Sequence, residues 1–348
     1  MSRVRTRMVM FGCLAGAPAL WAQQASPTTG RVGQPDSSLE VYGHPQQLVD
    51  IGGRKLNLYC LGHGSPTVIL ESGLGGSTMD WRKVHAELAK TTRVCAYDRA
   101  AFGFSDPGPL PRDTRHLADD LAALMEAASL QPPYVLVGAS LGGMVVRLYA
   151  DTHLHDVGGM VLVDSEPEHE DKRLEAVSPG FIQRINSQID QARACLTTVE
   201  AGVPEPGSKA ASNCVAGTNS VFPPAVNIHY VDVTSRPPFY REYLSEQVEA
   251  VGAGSDQVQA SRRSYGDLPL IVLTSTTPES RNLTATNPDP YYDARNKVVM
   301  VMHDEIAHLS SRGVNRAVPG ATHHMMMSVP QTVIDVINEV VAEARKKP

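Results

Sequence analysis

The sequence lacks an excess of positive charge. Its 348 residues include 31 Lys and Arg against 37 Asp and Glu, which gives a formal net charge of −6. A phosphate backbone demands clustered Lys and Arg, so the composition argues against nucleic acid as a partner. The hydrophobic share of 42% and the charged share of 20% are ordinary values for a globular protein with a sizeable core.

The sequence also lacks an uninterrupted apolar run that would anchor it in a membrane. The apolar segment at residues 8–22 is broken by two glycines and a proline, whereas a spanning helix needs about 20 apolar residues in succession. Small residues follow the segment, and the basic residues that precede it are Arg3, Arg5 and Arg7. This order predicts a secretory signal peptide at residues 1–22 and a secreted or periplasmic protein without a stable membrane span.

Cysteine is sparse. Cys13 falls within the predicted signal peptide, where a lipid-modified start is a weaker alternative to cleavage. The remaining four are Cys60, Cys95, Cys195 and Cys214. An even number in an oxidising compartment predicts disulfides, with three pairings possible, and four buried thiols are the alternative. A bond between Cys195 and Cys214 would tie down a loop rich in Gly, Pro and Ser, and no cysteine spacing resembles a zinc site.

Short apolar segments alternate with helical patterns along most of the chain. A β-hairpin is predicted at residues 47–60. Further strands are predicted at residues 67–71, 93–98, 134–137, 159–163, 269–273 and 315–318. The predicted helices of the same region are residues 84–90, 113–130, 141–150 and 329–344. This alternation predicts an α/β fold with a mostly parallel, doubly wound sheet.

Two segments fall outside this alternation. Residues 23–45, rich in Gln, Pro, Ser and Gly, are predicted as a loose, flexible arm. Residues 165–268 separate two strands that otherwise look consecutive, and a structureless loop of that length is uncommon. We therefore expect residues 165–268 to form an inserted, mainly helical lid, which leaves the core at residues 46–164 and 269–348.

Within the predicted lid, helices are expected at residues 181–195 and 241–251, with an irregular stretch between about 200 and 220. Three aromatic residues are expected to line an apolar pocket there: Phe239, Tyr240 and Tyr243. The identity of a substrate does not follow from these residues.

The segment Gly138-Ala139-Ser140-Leu141-Gly142 matches the G-x-S-x-G pattern of a nucleophile elbow. It follows a predicted strand and precedes a predicted helix, as that turn requires. Small neighbours are needed because the nucleophile has strained backbone, and the helix N-terminus favours developing negative charge. We therefore predict Ser140 as the nucleophile, and a tight turn with an inert serine is the alternative.

A serine hydroxyl is a weak nucleophile unless a base takes its proton. Thr322-His323-His324 precedes the last helix, and of the two imidazoles His323 is the preferred base. The acid should lie between the serine and the histidine in the chain. Asp164, at the end of a predicted strand, is preferred, with a helix cap as its alternative role. Glu279, after the strand at 269–273, is the alternative acid, since no Asp follows that strand.

An oxyanion hole needs two backbone N–H groups that point to one position. Leu141, directly after the nucleophile, is predicted to supply one. The other is expected from the turn Ser72-Gly73-Leu74-Gly75-Gly76, most readily from Leu74 beside Gly73. A plain glycine-rich turn is the alternative, and a phosphate-binding P-loop is excluded because no Lys-Ser/Thr follows.

Together these residues resemble the α/β-hydrolase superfamily over about residues 46–345. The segment Tyr97-Asp98-Arg99-Ala100-Ala101-Phe102-Gly103-Phe104-Ser105 is similar to the Y-D-x-x-G-x-G-x-S segment of lipase-, esterase- and peroxidase-like members, with Ala101 where glycine is common. His323 precedes Pro330 by seven positions, as is frequent in that family. The resemblance implies that Cys60 lies near Cys95, and it puts the acid after either of the two strands considered.

The N-terminal pattern and the ordered set of candidate residues, with this resemblance, predict an exported serine hydrolase that cleaves an ester or similar acyl bond of a small molecule. No cofactor and no metal are expected. The family's dehalogenases and epoxide hydrolases have an Asp nucleophile, so Ser140 argues against both activities. Amide or carbon–carbon cleavage and acyl transfer by the same triad are alternatives. A non-catalytic binding protein on the same fold is a further one.

Overall fold

The structure is a computed structural model that describes residues 34–278 and 290–346. The predicted signal peptide, the first part of the predicted arm and Glu279 lie outside the described residues. Among the described helices, none is both long enough and apolar enough to cross a membrane.

Eight strands form one sheet in the described part of the chain. They are β1 (Gln47–Asp50), β2 (Lys55–Leu61), β3 (Thr67–Glu71), β4 (Val94–Tyr97), β5 (Tyr134–Ala139), β6 (Val157–Val163), β7 (Leu270–Ser275) and β8 (Gly313–Val318). Their spatial order is β1-β2-β4-β3-β5-β6-β7-β8. β1 with β2 and β2 with β4 are antiparallel, and all other neighbours are parallel. The predicted strands and the mostly parallel sheet are confirmed.

The described helices divide between the two faces of the sheet and an insertion. They are α1 (His85–Leu88), α2 (Thr114–Ala127), α3 (Leu141–His153), α4 (Glu170–Glu175), α5 (Phe181–Glu200), α6 (Lys209–Cys214), α7 (Pro224–Thr234), α8 (Pro237–Val251), α9 (Ala253–Ser261), α10 (Tyr292–Ala307), α11 (Met325–Ser328) and α12 (Pro330–Ala344). α4 to α9 lie between β6 and β7 in the chain and make up the insertion, residues 165–268.

Side chains of β5 alternate between two apolar cores. Leu136 packs in the core shared with α2 and α3. Val135 and Val137 pack in the core shared with α12. Because successive strand side chains point to opposite faces, helices cover both sides of the sheet, and the doubly wound arrangement is confirmed.

α2 illustrates how the local sequence determines an element. The carboxylate of Asp113 accepts the His116 N–H at 2.9 Å and caps the first turn. Leu117, Leu121 and Leu124 recur at three- and four-residue spacing, and all are buried against the sheet. The cap and the buried apolar face together account for the helix predicted at residues 113–130.

The insertion has an apolar core of its own. Phe239, Tyr240 and Tyr243 of α8 are buried there with Phe102. They therefore form that core and do not line the cavity beside Ser140. The reason is that a helical segment of this size must bury apolar side chains against itself to remain folded. The stretch predicted as irregular contains the short helix α6.

Part of the predicted arm is ordered. Ser37–Gly43 form a 3₁₀ helix, capped by the Asp36 carboxylate, which accepts the Ser38 N–H at 3.0 Å. Leu39 and Tyr42 are buried against the insertion. The prediction of a loose arm is thus wrong for these residues, because two apolar side chains in a polar stretch are enough to dock it.

Both proposed cysteine pairs are bonded. Cys60 and Cys95 are register partners on β2 and β4 and form one disulfide. Cys195 and Cys214 form the other and join α5 to α6. Of the three possible pairings, the structure contains the one that links neighbouring strands and closes the loop in the insertion.

Candidate active site

Ser140 lies in the sharp turn between β5 and α3. Its φ of 52° and ψ of −125° are unusual for a residue with a side chain, and such backbone strain is typical of functional sites. Neighbouring backbone holds the turn: the Ser140 N–H donates to Val163 O at 3.2 Å, and the Gly143 N–H donates to Ser140 O at 2.9 Å. The turn thus presents Ser140 at the carboxyl edge of the sheet.

The glycines of the motif are required by close backbone contacts. A Cβ atom at Gly138 would lie 2.5 Å from Gly142 O, and one at Gly142 would lie 2.5 Å from Glu71 O. A Cβ atom at Gly73 would lie 3.1 Å from the Cβ of Ser140. The loop after β3 therefore lies directly against Ser140, and Gly73 allows the close approach.

Asp164 and His323 are hydrogen-bonded. Asp164 directly follows β6, has a φ of 45° and is 9% exposed. Its Oδ2 lies 2.7 Å from Nδ1 of His323, which follows β8 in the loop before α11. Burial raises the pKa of Asp164, but the hydrogen bond and charge of His323 outweigh it, so that the pKa lies below its ordinary value. Asp164 is therefore ionised at neutral pH.

Ser275 supports the same carboxylate. It ends β7, the strand after which an Asp was missing in the sequence. Its backbone N–H donates to Asp164 Oδ1 at 2.8 Å, and its hydroxyl donates to Oδ2 at 2.8 Å. The second candidate strand thus supplies hydrogen-bond donors to Asp164. The alternative acid, Glu279, lies outside the described residues.

Ser140, Asp164 and His323 line one cavity of about 390 Å³. The neighbouring His324 does not line it, and its ring lies perpendicular to that of His323 at 5.4 Å between centroids. Of the two adjacent imidazoles, His323 is therefore the one at the cavity. In the described residues, no three His, Cys, Asp or Glu side chains are grouped so as to hold a metal ion.

Two carboxyl groups at the cavity were missed by sequence reasoning. Burial raises the pKa of Glu166 to about 7, with His323 acting in the opposite direction. Burial and the neighbouring Glu166 raise the pKa of Glu170 to about 8. Both follow Asp164 within six residues, and that proximity was the one signal in the sequence that could have identified them.

His303 was also missed as a cavity residue. It lies on α10, is 1% exposed and lines the cavity. Its Nε2 donates to Ser165 O at 2.7 Å, and its Nδ1 is hydrogen-bonded to Thr274 Oγ1 at 2.6 Å. The backbone next to Asp164 is held in this way. The sequence did not identify it, because spacing along one helix carries no information on contacts across the sheet.

The predicted oxyanion residues adjoin Ser140. Leu141 is the first residue of α3, and Gly73 approaches Ser140 from the loop after β3. Leu74 is next in that loop and packs against the core of the sheet and that of the insertion. The Gly76 N–H donates to Gly73 O at 3.0 Å and closes the turn. The structure thus brings all three residues to the nucleophile.

Known proteins share this fold. The family model described as alpha/beta hydrolase fold matches residues 66–198. The protein named "Probable transporter efuK" of Hormonema carpetanum is 32% identical over 142 residues, 38% of this chain and 20% of that protein. An "AB hydrolase superfamily protein" of Gibberella zeae is 32% identical over 107 residues, 30% of this chain and 33% of that protein. The chain therefore matches about a fifth to a third of the length of these relatives.

Solved structures agree over most of the chain. The epoxide hydrolase CorEH superposes with a TM-score of 0.56 at 18% identity, over 86% of this chain and 98% of that chain. The sheet order, the elbow at Ser140 and these matches show that the chain has the alpha/beta hydrolase fold.

Proposed function

We propose that this protein is an exported serine hydrolase that cleaves an ester or similar acyl bond. Ser140 is the nucleophile, His323 the general base and Asp164 the acid that orients the imidazole. The observation that carries the proposal is one cavity lined by all three residues, with His323 Nδ1 2.7 Å from an Asp164 oxygen. Ionised carboxylate, imidazole and strained serine are the parts that acyl transfer needs.

The reaction proceeds in two halves. Ser140 Oγ attacks the carbonyl carbon while His323 Nε2 takes the hydroxyl proton, and the N–H groups of Leu141 and Leu74 stabilise the oxyanion. His323 then gives the proton to the leaving alcohol, and an acyl group remains on Ser140. Water, deprotonated by His323, attacks this acyl-enzyme and releases the carboxylic acid.

Asp164 holds the imidazole in the tautomer that exposes Nε2 to Ser140 and stabilises its charged form. Its remaining acceptor capacity is taken by Ser275, which fixes the carboxylate itself. These contacts favour Asp164 over Glu279 as the acid. Amide substrates would use the same steps, whereas epoxide opening in this family uses an Asp in place of Ser140.

Export is supported by two features of the chain. The structure contains two disulfides. Disulfides persist in oxidising compartments and are rare in the cytosol. The first residues have the charge and apolar order of a signal peptide. Cell fractionation and intact mass measure export directly. The protein is expected outside the cytoplasm without its first 22 or so residues. A full-length cytoplasmic product would refute export.

Labelling by a fluorophosphonate probe and turnover of short-chain nitrophenyl esters test the catalytic proposal. Wild type is expected to show both, and Ser140→Ala is expected to show neither. Asp164→Asn should lower kcat by about 10⁴-fold, as removal of a triad acid does elsewhere. Glu279→Gln is the matched control and should leave kcat within about twofold. A wild type that is folded yet neither labelled nor active would overturn the proposal.

A further inference from the structure

Behind the loop formed by Ser72 to Gly76 lies a buried group of three charged side chains. Glu71 is 0% exposed, Arg99 2% and Glu246 1%. Arg99 Nη1 donates to Glu71 Oε1 at 2.7 Å, while its Nε and Nη2 donate to the two oxygens of Glu246, each at 2.8 Å. Glu246 comes from α8 of the insertion, and the other two come from the core.

The same side chains bind the backbone of the loop. Arg99 donates to Ser72 O at 2.6 Å and to Gly73 O at 2.5 Å. Glu246 Oε2 accepts the Gly75 N–H at 3.1 Å. The peptide group before Leu74 is therefore bound by Arg99, and the peptide group after Leu74 is bound by Glu246.

The contact to Gly73 O determines the direction of the Leu74 N–H. This carbonyl and this N–H belong to one planar trans peptide, in which the two groups point in opposite directions. Since Gly73 O points toward Arg99, the Leu74 N–H points away from it. Gly73 itself lies against Ser140 on the other side, with its ideal Cβ position 3.1 Å from the serine Cβ.

A buried ion pair is a poor source of stability, because desolvation of the charges offsets most of their attraction. Burial raises the pKa of Glu71 to about 7, so Glu246 is the principal counter-charge of Arg99 below that pH. The cluster instead binds the backbone of a loop that contains three glycines.

We infer that Glu246 is a positioning residue for the reaction proposed above. Through Arg99 and the Gly75 N–H it orients the peptide that precedes Leu74, and thereby the second donor of the oxyanion hole. The insertion thus completes a catalytic element of the core. The inference rests on the proposed function, because an oxyanion donor has no role without acyl transfer.

Glu242 provides a matched control, one turn earlier on α8. It is 2% exposed and pairs with Arg112 at 2.9 Å, while its Oε1 accepts the Gly108 N–H at 2.8 Å. Like Glu246, it joins the insertion to the core by a buried Arg and a backbone N–H. Its contacts are with residues 108 and 112 and not with the loop at Ser140.

The experiment compares Glu246→Gln with Glu242→Gln. Fluorophosphonate titration counts competent sites, so that kcat is expressed per site. Glu246→Gln is expected to lower kcat about 10- to 100-fold, less than full loss of an oxyanion donor, with KM within about threefold. Affinity for a boronic acid, whose adduct with Ser140 uses the oxyanion hole, should fall in parallel with kcat. Glu242→Gln should lower the melting temperature and leave kcat per site within about twofold.

Two results overturn the inference: equal kcat per site in the two variants, or a loss in Glu246→Gln without weaker boronate affinity. If Glu246→Gln does not fold, Glu246→Asp, which keeps the charge but withdraws it from the Gly75 N–H, is judged by the same criteria. If wild type itself is neither labelled nor active, the proposed function fails instead, so the two failures are distinguishable.

Discussion

At the scale of single residues, the proposed nucleophile and its acid are two of the five described non-glycine residues with positive φ. Ser140, Asp164 and Ala101 all have positive φ, at 52°, 45° and 61°. Ser140 and Asp164 line the cavity, and Ala101 lies in the segment that carries Arg99. Residues with side chains adopt such backbone at a cost that the surrounding structure must offset.

Ala101 allows a test of this strain. Its φ of 61° lies in the left-handed region that favours glycine. Ala101→Gly relieves the left-handed backbone but loses a buried methyl group and gains entropy in the unfolded chain, so the free energy of unfolding should change by less than about 1 kcal/mol. Ala101→Val adds a β-branched side chain in the same backbone and should cost at least about 2 kcal/mol.

Urea unfolding of the two variants measures both values. Equal stability of the Val and Gly variants would show that the backbone at residue 101 adapts at no cost. Refolded wild type, unfolded in parallel, provides the reference slope and midpoint.

Local patterns identified the candidate triad but not the rest of the cavity. Ser140 stands in a motif of five residues. Chain order left Asp164 preferred over Glu279 as the acid, and the family resemblance favoured His323 over His324 as the base. Glu166 and His303 line the same cavity because α10 packs against β7, the neighbour of β6 in the sheet. No local spacing connects residues 166 and 303, so contacts of this kind follow from the tertiary structure alone.

At the scale of elements, the sheet and its covering helices follow from periodicity, whereas part of the insertion does not. α7 contains Val226, Ile228, Val231, Val233 and Thr234. These β-branched residues favour strands by local preference. The segment is helical because one side of it packs against the N-terminal 3₁₀ helix, with Val226 fully buried beside Leu39. Tertiary packing here overrides propensity.

Glu170, the first residue of α4, makes the stability of this region depend on pH. Its folded pKa is raised from 4.5 to about 8, so the folded state holds a proton that the unfolded state releases. The contribution of Glu170 to the free energy of unfolding therefore falls as pH rises from 4.5 to about 8, and it is constant above that range. The groups that face it at the cavity are Glu166, Asp164, Asp171, His323, His303, Tyr292 and Arg295.

Glu170→Gln removes the titrating group and keeps its size. The variant should melt close to wild type at pH 5 and about 2 °C or more above it at pH 8.5. Glu175→Gln on the same helix is the contrast, because hydrogen bonds from Gly180 and Ile182 lower the pKa of Glu175. Its removal should destabilise at pH 8.5. If the melting temperature of Glu170→Gln relative to wild type is the same at pH 5 and at pH 8.5, the raised pKa of Glu170 is contradicted.

At the scale of the whole molecule, the two disulfides secure different parts. Cys60–Cys95 closes 35 residues of the core, and Cys195–Cys214 closes 19 residues of the insertion. Replacement of either pair by serine should lower the free energy of unfolding by about 3–4 kcal/mol, from the entropy that the closed loop removes from the unfolded chain. Denaturant unfolding measures the loss, and each variant serves as the control for the other. No change on replacing either pair would mean that the bonds do not form in solution.

The N-terminal 3₁₀ helix limits how far the protein can be truncated at its N-terminus for expression. Its Leu39 and Tyr42 share one apolar cluster with Met79 of the core and with Phe222 and Val226 of the insertion. A polypeptide started at residue 46, where the sheet begins, would leave those partners facing water and invite aggregation. An expressed polypeptide should therefore start at or before residue 34, so that it includes the 3₁₀ helix.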